Sequence, residues 1–402
     1  MDRKRIAIIG GGPAGLMAAD VIAPHHDVVL YEQGRTLGRK FLVAGKGGFN
    51  LTNSASGADL KQRYDPPGFL DRALDAFGPE ELREWLSVRG IATYVGSSGR
   101  VFPLRGIKPI AVLNAIRARL DTAGVRSAYG HRLVAFDARA MPVFEVQGVR
   151  KVIEADAVIL ALGGASWSVT GSSGNWVDAL HAIGIDTAPF APSNCGMHAS
   201  WPASLIDAHA GKPLKNIRAS VGERSVLGEA TITRHGLEGN AIYPLVPMIR
   251  SGPLPGTLHL DLRPNNSFGQ LLGKLSGRAP KAFADALHLD RVQLALLKAL
   301  TPRSVSLSAE AFCTAVKELS VPITGLRPLE EAISTVGGIR PEDLNDDLSL
   351  KRFPSMYTIG EMVDWDAPTG GFLLQGCFSM GHLAGHAVLR RFAGEAQGPT
   401  HM

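Results

Sequence analysis

Cysteine is scarce: Cys195, Cys313 and Cys377 are the only three in 402 residues. Odd in number and widely spaced, they build neither a disulfide framework, nor a CxxC redox pair, nor a zinc-ligand spacing. That excludes a disulfide reductase and points to a reducing compartment. Long apolar runs are missing too, and none approaches the roughly 20 residues that cross a bilayer. The opening MDRKRIAIIGGGPAGLMAA has the order of a signal peptide: basic, then apolar, then small. Pro13 and Gly15 interrupt its apolar run, and its glycines fall at positions with a better use, so it reads as mature structure. The expected location is cytoplasmic, with no membrane partner. Charge of one sign is also modest. A net +5 over this length permits a phosphate-rich partner without demanding one.

Glycine is plentiful instead, with 46 residues in short clusters of the kind used for tight turns and close ligand approach. The first cluster is the most informative. KRIAII (4–9) is a short buried-strand run, a small-residue helix follows from Pro13 to about Ala23, and DVVLY (27–31) is a second strand ending in Glu32. Between the first strand and the helix, Gly10, Gly12 and Gly15 form G-x-G-x-x-G. In such a turn the first glycine allows the bend, the second lets a pyrophosphate approach and the third allows close helix–sheet packing. The helix start offers free N–H groups to the phosphates, and Glu32 stands where an acid takes the ribose hydroxyls. Strand, fingerprint, helix, strand and acid occur in register, which makes this a dinucleotide site for FAD or NAD.

Three further features favour FAD. The loop GRTLGRKFLVAGKGGFNLTN (34–53) sits where flavoproteins cross the flavin, and brings Arg39, Lys40, Gly45, Lys46, Gly47, Gly48 and Asn50 into consideration. The strand ADAVILALGG (155–164) runs into Gly163 and Gly164 like a second flavoprotein fingerprint. IGEMVDWDAPTGGFLLQG (359–376) places Gly360, Glu361, Asp364 and Asp366 after a strand, then Gly370, Gly371 and Phe372 before a helix. A helix start there faces the flavin edge with its positive dipole end. The cofactor-binding candidates are therefore Gly10, Gly12, Pro13, Ala14, Gly15, Glu32 and Gln33 from the opening unit, together with Arg39, Lys40, Gly45, Gly47, Gly48 and Asn50 from the loop. Gly163, Gly360, Glu361, Asp364, Gly370, Gly371 and Phe372 complete the set.

The organisation expected is a Rossmann-type α/β FAD domain with a doubly wound sheet, assembled from residues 1–190 and 335–402. A β-rich and helical domain is inserted at 191–334, where proline becomes frequent. Helices are expected near 68–77, 79–89, 109–123, 174–183, 267–276, 280–300, 308–318 and 376–392. A hairpin or meander is expected around RLVAFDA and VFEVQ.

GGGPAGLMAA, GRKFLVAGKGGFNLTN, HGLEGNAIYPL and TIGEMVDWDAPTGGFLLQGCFSMGHLAG together resemble the YhiN/BaiN-like (HI0933-like) flavoproteins along essentially the whole chain. The resemblance implies a two-part FAD domain with an inserted domain and the flavin between them. It also implies reduction of carbon–carbon double bonds, in steroid-like bile-acid intermediates or in a uridine of large-subunit ribosomal RNA. Many members read GGGRCNLTN where this chain reads GKGGFNLTN, so Lys46, Gly48 and Phe49 replace a glycine, an arginine and a cysteine.

A flavin reductase needs a proton donor opposite the hydride. Lys46 is the first candidate and Asn50 the second, with a surface lysine and a loop tie as the plainer readings. Thr52, Tyr243 and Cys195 stand behind them, and His235 and Asn240 are candidates for the substrate side. His382 and His386 have i, i+4 spacing but no accompanying glutamate, so core packing is favoured over a metal site and no metal is expected. With one G-x-G-x-x-G only, the electron donor is NAD(P)H docking transiently or a partner reductase. The substrate, a small molecule or RNA, stays open, with a flavin oxidase or monooxygenase as a further alternative.

Overall fold

The computed structural model describes residues 2–43 and 48–395. The chain divides into two compact units, one of residues 1–191 with 334–402 and the other of residues 192–333.

The first unit is of Rossmann type. β1 (Arg5–Ile9) is buried at every residue but Arg5, in the middle of a sheet that packs against α1 (Pro13–Ile22) and, through Tyr31 stacked on Phe144, against a three-stranded meander, which is why its apolar run is continuous. α1 leads to β2 (Asp27–Glu32). Five strands lie in the order Met356–Thr358, Ala157–Leu160, β1, β2, Arg126–Tyr129, all parallel. The strand at 356–358 comes from the far end of the sequence, so both ends of the chain build one sheet. Ligands of such sheets bind beyond the carboxyl ends of the strands. Those ends are drawn together by Gly10 N–H donating to Tyr31 O (2.8 Å) and Ala161 N–H to Ile9 O (2.8 Å). The expected meander is present as Arg132–Phe136, Pro142–Val146 and Val149–Val152. The last helix, Phe372–Glu395, begins four residues earlier than its apolar pattern indicates, directly after Gly370 and Gly371 with their positive φ angles.

The second unit is a closed six-stranded antiparallel barrel with helices packed on it. Its strands run Met197–Ala199, Gly236–Glu238, Arg224–Ile232, Pro213–Val221, Gly256–Asp261 and Leu319–Leu326, and pairing of Met197 with Leu326 closes the ring. Leu319, Val321 and Ile323 point inward while Ser320 and Pro322 face out. The single helix expected over 280–300 is broken. Phe283–Ala286 ends before His288, which has φ of 53°, and Arg291–Leu300 restarts on Asp290. The Asp290 carboxylate caps the new helix by accepting from Val292 N–H and Gln293 N–H, both at 2.8 Å.

Candidate cofactor cleft

The three fingerprint glycines do different physical work. A Cβ on Gly10 would lie 2.1 Å from Ala161 O, and one on Gly15 would lie 2.1 Å from Gly10 O, so both are required by backbone contacts. A Cβ on Gly12 would meet nothing within 4 Å. Gly12 therefore opens onto free space at the start of α1, where the first-turn N–H groups have no carbonyl partners of their own. That combination, an open backbone beside a helix N-terminus, fits a diphosphate.

The space is an open cleft at the carboxyl ends of the strands. Of the sequence candidates, Gly10, Gly12, Pro13, Ala14, Glu32, Gln33, Arg39, Lys40, Gly163, Gly360 and Glu361 line it. Gly15 lies beneath, at the crossing of helix and strand. Glu32 is held at the end of β2 by accepting from Gly34 N–H (2.7 Å) and Gly11 N–H (3.1 Å). A carboxylate fixed in this way keeps further lone pairs for ribose hydroxyls. Glu32→Ala is expected to weaken FAD binding by about 1–3 kcal/mol, the loss of a charged hydrogen-bond acceptor. Titration of apoprotein measures it, and an unchanged affinity would move the ribose contact elsewhere.

Three of the polar candidates hold a segment of protein at the cleft wall. Gln33 Nε2 donates to Gly171 O (2.6 Å), Arg39 Nη2 to Val169 O (2.6 Å) and Lys40 Nζ to Ser166 Oγ (2.9 Å). The sequence offered no sign of this 166–173 segment, whose small polar residues follow Gly163 and Gly164 without a motif. Lys40 Nζ also pairs with Glu361 Oε2 at 2.7 Å.

The acids of the 359–376 stretch separate. Glu361 lies in a single 3-10 turn, Gly360–Met362, and lines the cleft. Asp364 does not line it; its carboxylate accepts from Gly337 N–H at 2.7 Å. Asp366 is buried, with its backbone paired to Asp65.

Gly48, Asn50, Gly370, Gly371 and Phe372 lie outside the cleft wall and form a second cluster around the start of the final helix. With its amide oriented to satisfy both neighbours, Asn50 accepts from Gly371 N–H (2.5 Å) and donates to Gly48 O (3.2 Å). Asn53 Nδ2 donates to Gly370 O (3.1 Å), Thr52 Oγ1 to Gln375 Oε1 (2.6 Å) and Tyr64 OH to Phe372 O (2.9 Å). Asn50 and Thr52 thus tie the loop to the helix start. Gly45, Lys46 and Gly47 lie outside the described residues.

Several cleft residues had no sequence signal. His131 comes from the turn after Arg126–Tyr129, Leu133 from the strand Arg132–Phe136, and Ser172, Trp176 and Cys377 from the walls. Burial pushes the Cys377 thiol up to about 12, with Glu361 adding to the effect, so a neutral S–H faces the cleft. On the final helix His382 stacks on Phe77 with centroids 4.7 Å apart, and its ring lies 4.5 Å from that of His386. Burial, then His386, lowers the His382 pKa to about 4. Among the described residues no three His, Cys, Asp or Glu side chains are grouped to hold a metal, and no helix is long and apolar enough to cross a membrane.

A parallel Rossmann sheet, an open backbone at a helix start and an acid on the neighbouring strand are those of a dinucleotide-dependent oxidoreductase of the flavoprotein class. The sequence model of the HI0933-like protein Rossmann domain matches residues 4–387. The chain belongs to the HI0933-like family, and it is an FAD-dependent oxidoreductase. It is 28% identical to a 3-dehydro-bile acid delta(4,6)-reductase of Clostridium scindens, over 96% of this chain and all of that protein. It is 24% identical to a ribosomal RNA dihydrouridine synthase of Escherichia coli, over 94% of this chain and 96% of the relative. In fold it is similar to the crystal structure of a 3-ketosteroid-delta4-(5alpha)-dehydrogenase from Rhodococcus jostii, with TM-score 0.50 and 15% identity over 95% of this chain and 96% of that one.

Proposed function

We propose that the protein reduces a carbon–carbon double bond of a small conjugated substrate, with FAD held in the cleft described above. One observation carries the reading: the end-to-end likeness to a reductase of unsaturated bile-acid intermediates, at 28% identity and without a missing segment in that relative. When bound, FAD supplies hydride chemistry that no side chain offers.

The chain's own part is to bind and orient. Gly12 and the first turn of α1 receive the diphosphate, and Glu32 takes the ribose hydroxyls. The sheet order puts Glu361 on the opposite side of β1 from Glu32, because residue 361 follows the strand at the far edge. Adenosine then lies towards Glu32 and the ribityl chain towards Glu361. Cys377 stays a thiol and contributes no anion. Asn50 positions the loop, and Lys46 is the candidate donor of the proton that completes reduction. The electron donor, NAD(P)H or a partner reductase, docks transiently.

The purified protein is expected to be yellow and to release FAD, not FMN, on denaturation. Reduced anaerobically, it is expected to be reoxidised in one turnover by a 3-keto-Δ4 bile acid faster than by air. Colourless protein that takes up no FAD would refute the assignment, and fast reoxidation by oxygen alone would make the protein an oxidase.

A second reading, reduction of a uridine in ribosomal RNA, is favoured by the dihydrouridine synthase relatives and by where the charge sits. Residues 192–333 contain 15 lysines and arginines against 11 acids, a net +4 of the chain's +5. Retention on ribosomal RNA that falls steeply with salt, with uridine loss on incubation, would select it.

A further inference from the structure

The 2.7 Å pair between Lys40 and Glu361 joins residues 321 positions apart in sequence. Lys40 follows β2 on one side of the fingerprint, whereas Glu361 follows the strand at the other edge of the sheet. Both line the cleft, and both side chains are largely withdrawn from solvent, at 28% and 15% exposure. Withdrawing two charges from water costs free energy that their attraction repays only with good geometry and further hydrogen bonds. Those bonds are present. Lys40 Nζ reaches Ser166 Oγ (2.9 Å), Ser172 Oγ (3.5 Å) and Glu361 Oε2, which occupies all three ammonium donors. Glu361 Oε1 accepts from Thr335 N–H at 3.0 Å. Gly164 leaves the room this needs, since a Cβ there would lie 3.0 Å from the Glu361 carboxyl carbon.

We propose that Lys40 is a positioning residue for the bound cofactor: it neutralises and fixes Glu361 and ties it to the 166–173 segment, so that the pair, not either charge alone, sets the field at the riboflavin end. With its three donors used, Lys40 has no N–H left for the cofactor and acts through Glu361. Removing the lysine would leave a largely withdrawn, unpaired carboxylate at the riboflavin end of a cofactor that gains negative charge on reduction. Removing the glutamate leaves an unpaired ammonium there. The two losses therefore push the reduction equilibrium in opposite directions, although both remove the same contact.

The inference rests on the cleft holding FAD and is tested on the flavin-loaded protein without turnover. The flavin midpoint potential is measured for Lys40→Met, Glu361→Gln, the double variant and Lys40→Arg, with FAD dissociation followed by fluorescence. Lys40→Met is expected to disfavour reduced flavin at least tenfold, about 30 mV downward for a two-electron couple. Glu361→Gln is expected to move it upward by a similar factor, and the double variant to return near the unaltered value. Lys40→Arg retains most of the unaltered behaviour. FAD dissociates faster from both single variants, because each loosens the wall. Shifts of the same sign, or no shift in Glu361→Gln, would overturn the proposal. The latter decides even where Lys40→Met does not fold. Failure of the unaltered protein to take up FAD would refute the cofactor assignment instead, a result distinguishable from unmoved potentials in loaded variants.

Discussion

Gly10→Val is expected to abolish FAD binding and to unfold much of the Rossmann unit. The residue has φ of +111°, and a Cβ there would lie 2.1 Å from the carbonyl oxygen and 2.7 Å from the carbonyl carbon of Ala161. Those atoms belong to the backbone just past a central strand, so no side-chain rotation relieves the clash. The turn cannot move away either, because Gly10 N–H is bonded to Tyr31 O on one side and Ala161 N–H to Ile9 O on the other. A β-branched residue at positive φ adds strain of about 1–3 kcal/mol, and overpacking adds a similar amount. The sum, on the order of 4 kcal/mol, is a large part of the 5–15 kcal/mol that holds a typical domain together. Thermal melting and flavin content of the soluble fraction measure it. Gly12→Ala separates the two effects. Its Cβ meets no protein atom within 4 Å, so the variant is expected to melt like the unaltered protein while binding FAD poorly. If Gly10→Val keeps both its melting temperature and its flavin, the strand crossing does not hold the fingerprint as described.

The same distinction between local and distant causes explains what was legible in the sequence. β1, the fingerprint, α1 and Glu32 are encoded within the first 32 residues, each by its neighbours, and can be read in a line. The barrel is a different case. Its closure depends on Met197 pairing with Leu326, and the closing strand contains Pro322 and Gly325, which read locally as a loop. Pro322 is exposed, in a strand whose inward residues, Val321 and Ile323, fill the core, and the pairing with Met197–Ala199 begins only at Ile323, beyond the residue that has no N–H to give. In the site, side-chain direction was the hidden variable. Glu361, Asp364 and Asp366 look equivalent at their sequence spacing. A single 3-10 turn places the first in the cleft wall, and Gly337 N–H engages the second elsewhere. Gln33, Arg39 and Lys40 reach the cleft, but their partners lie 126 to 138 residues away in a segment with no motif.

The second large effect is expected at a residue that lines no cleft. The final helix lies against α1 through Gly381 and Gly385, which share a face at i, i+4 spacing. A Cβ on Gly381 would lie 2.3 Å from Ala14 O and 3.0 Å from the Met17 Cβ. Ala14 is in the first turn of α1, the turn whose N–H groups face the open space at Gly12. Any side chain at 381 must push that turn by roughly 1 Å or distort the final helix, and overpacking of this kind costs about 1–3 kcal/mol or more. The displaced turn also carries Gly15, whose packing on Gly10 O leaves no slack. Gly381→Leu is therefore expected to lower the melting temperature by on the order of 10 °C and to cost FAD affinity of about two orders of magnitude, although residue 381 never meets the cofactor. Gly273→Ala, in the helix Phe268–Leu275 of the barrel unit, is the matched control. A Cβ there meets nothing within 4 Å, so only helix propensity changes, with stability rising by up to about 1 kcal/mol. If Gly381→Leu melts and binds FAD as the unaltered protein does, the spacing of the two helices is not what aligns the phosphate-binding turn.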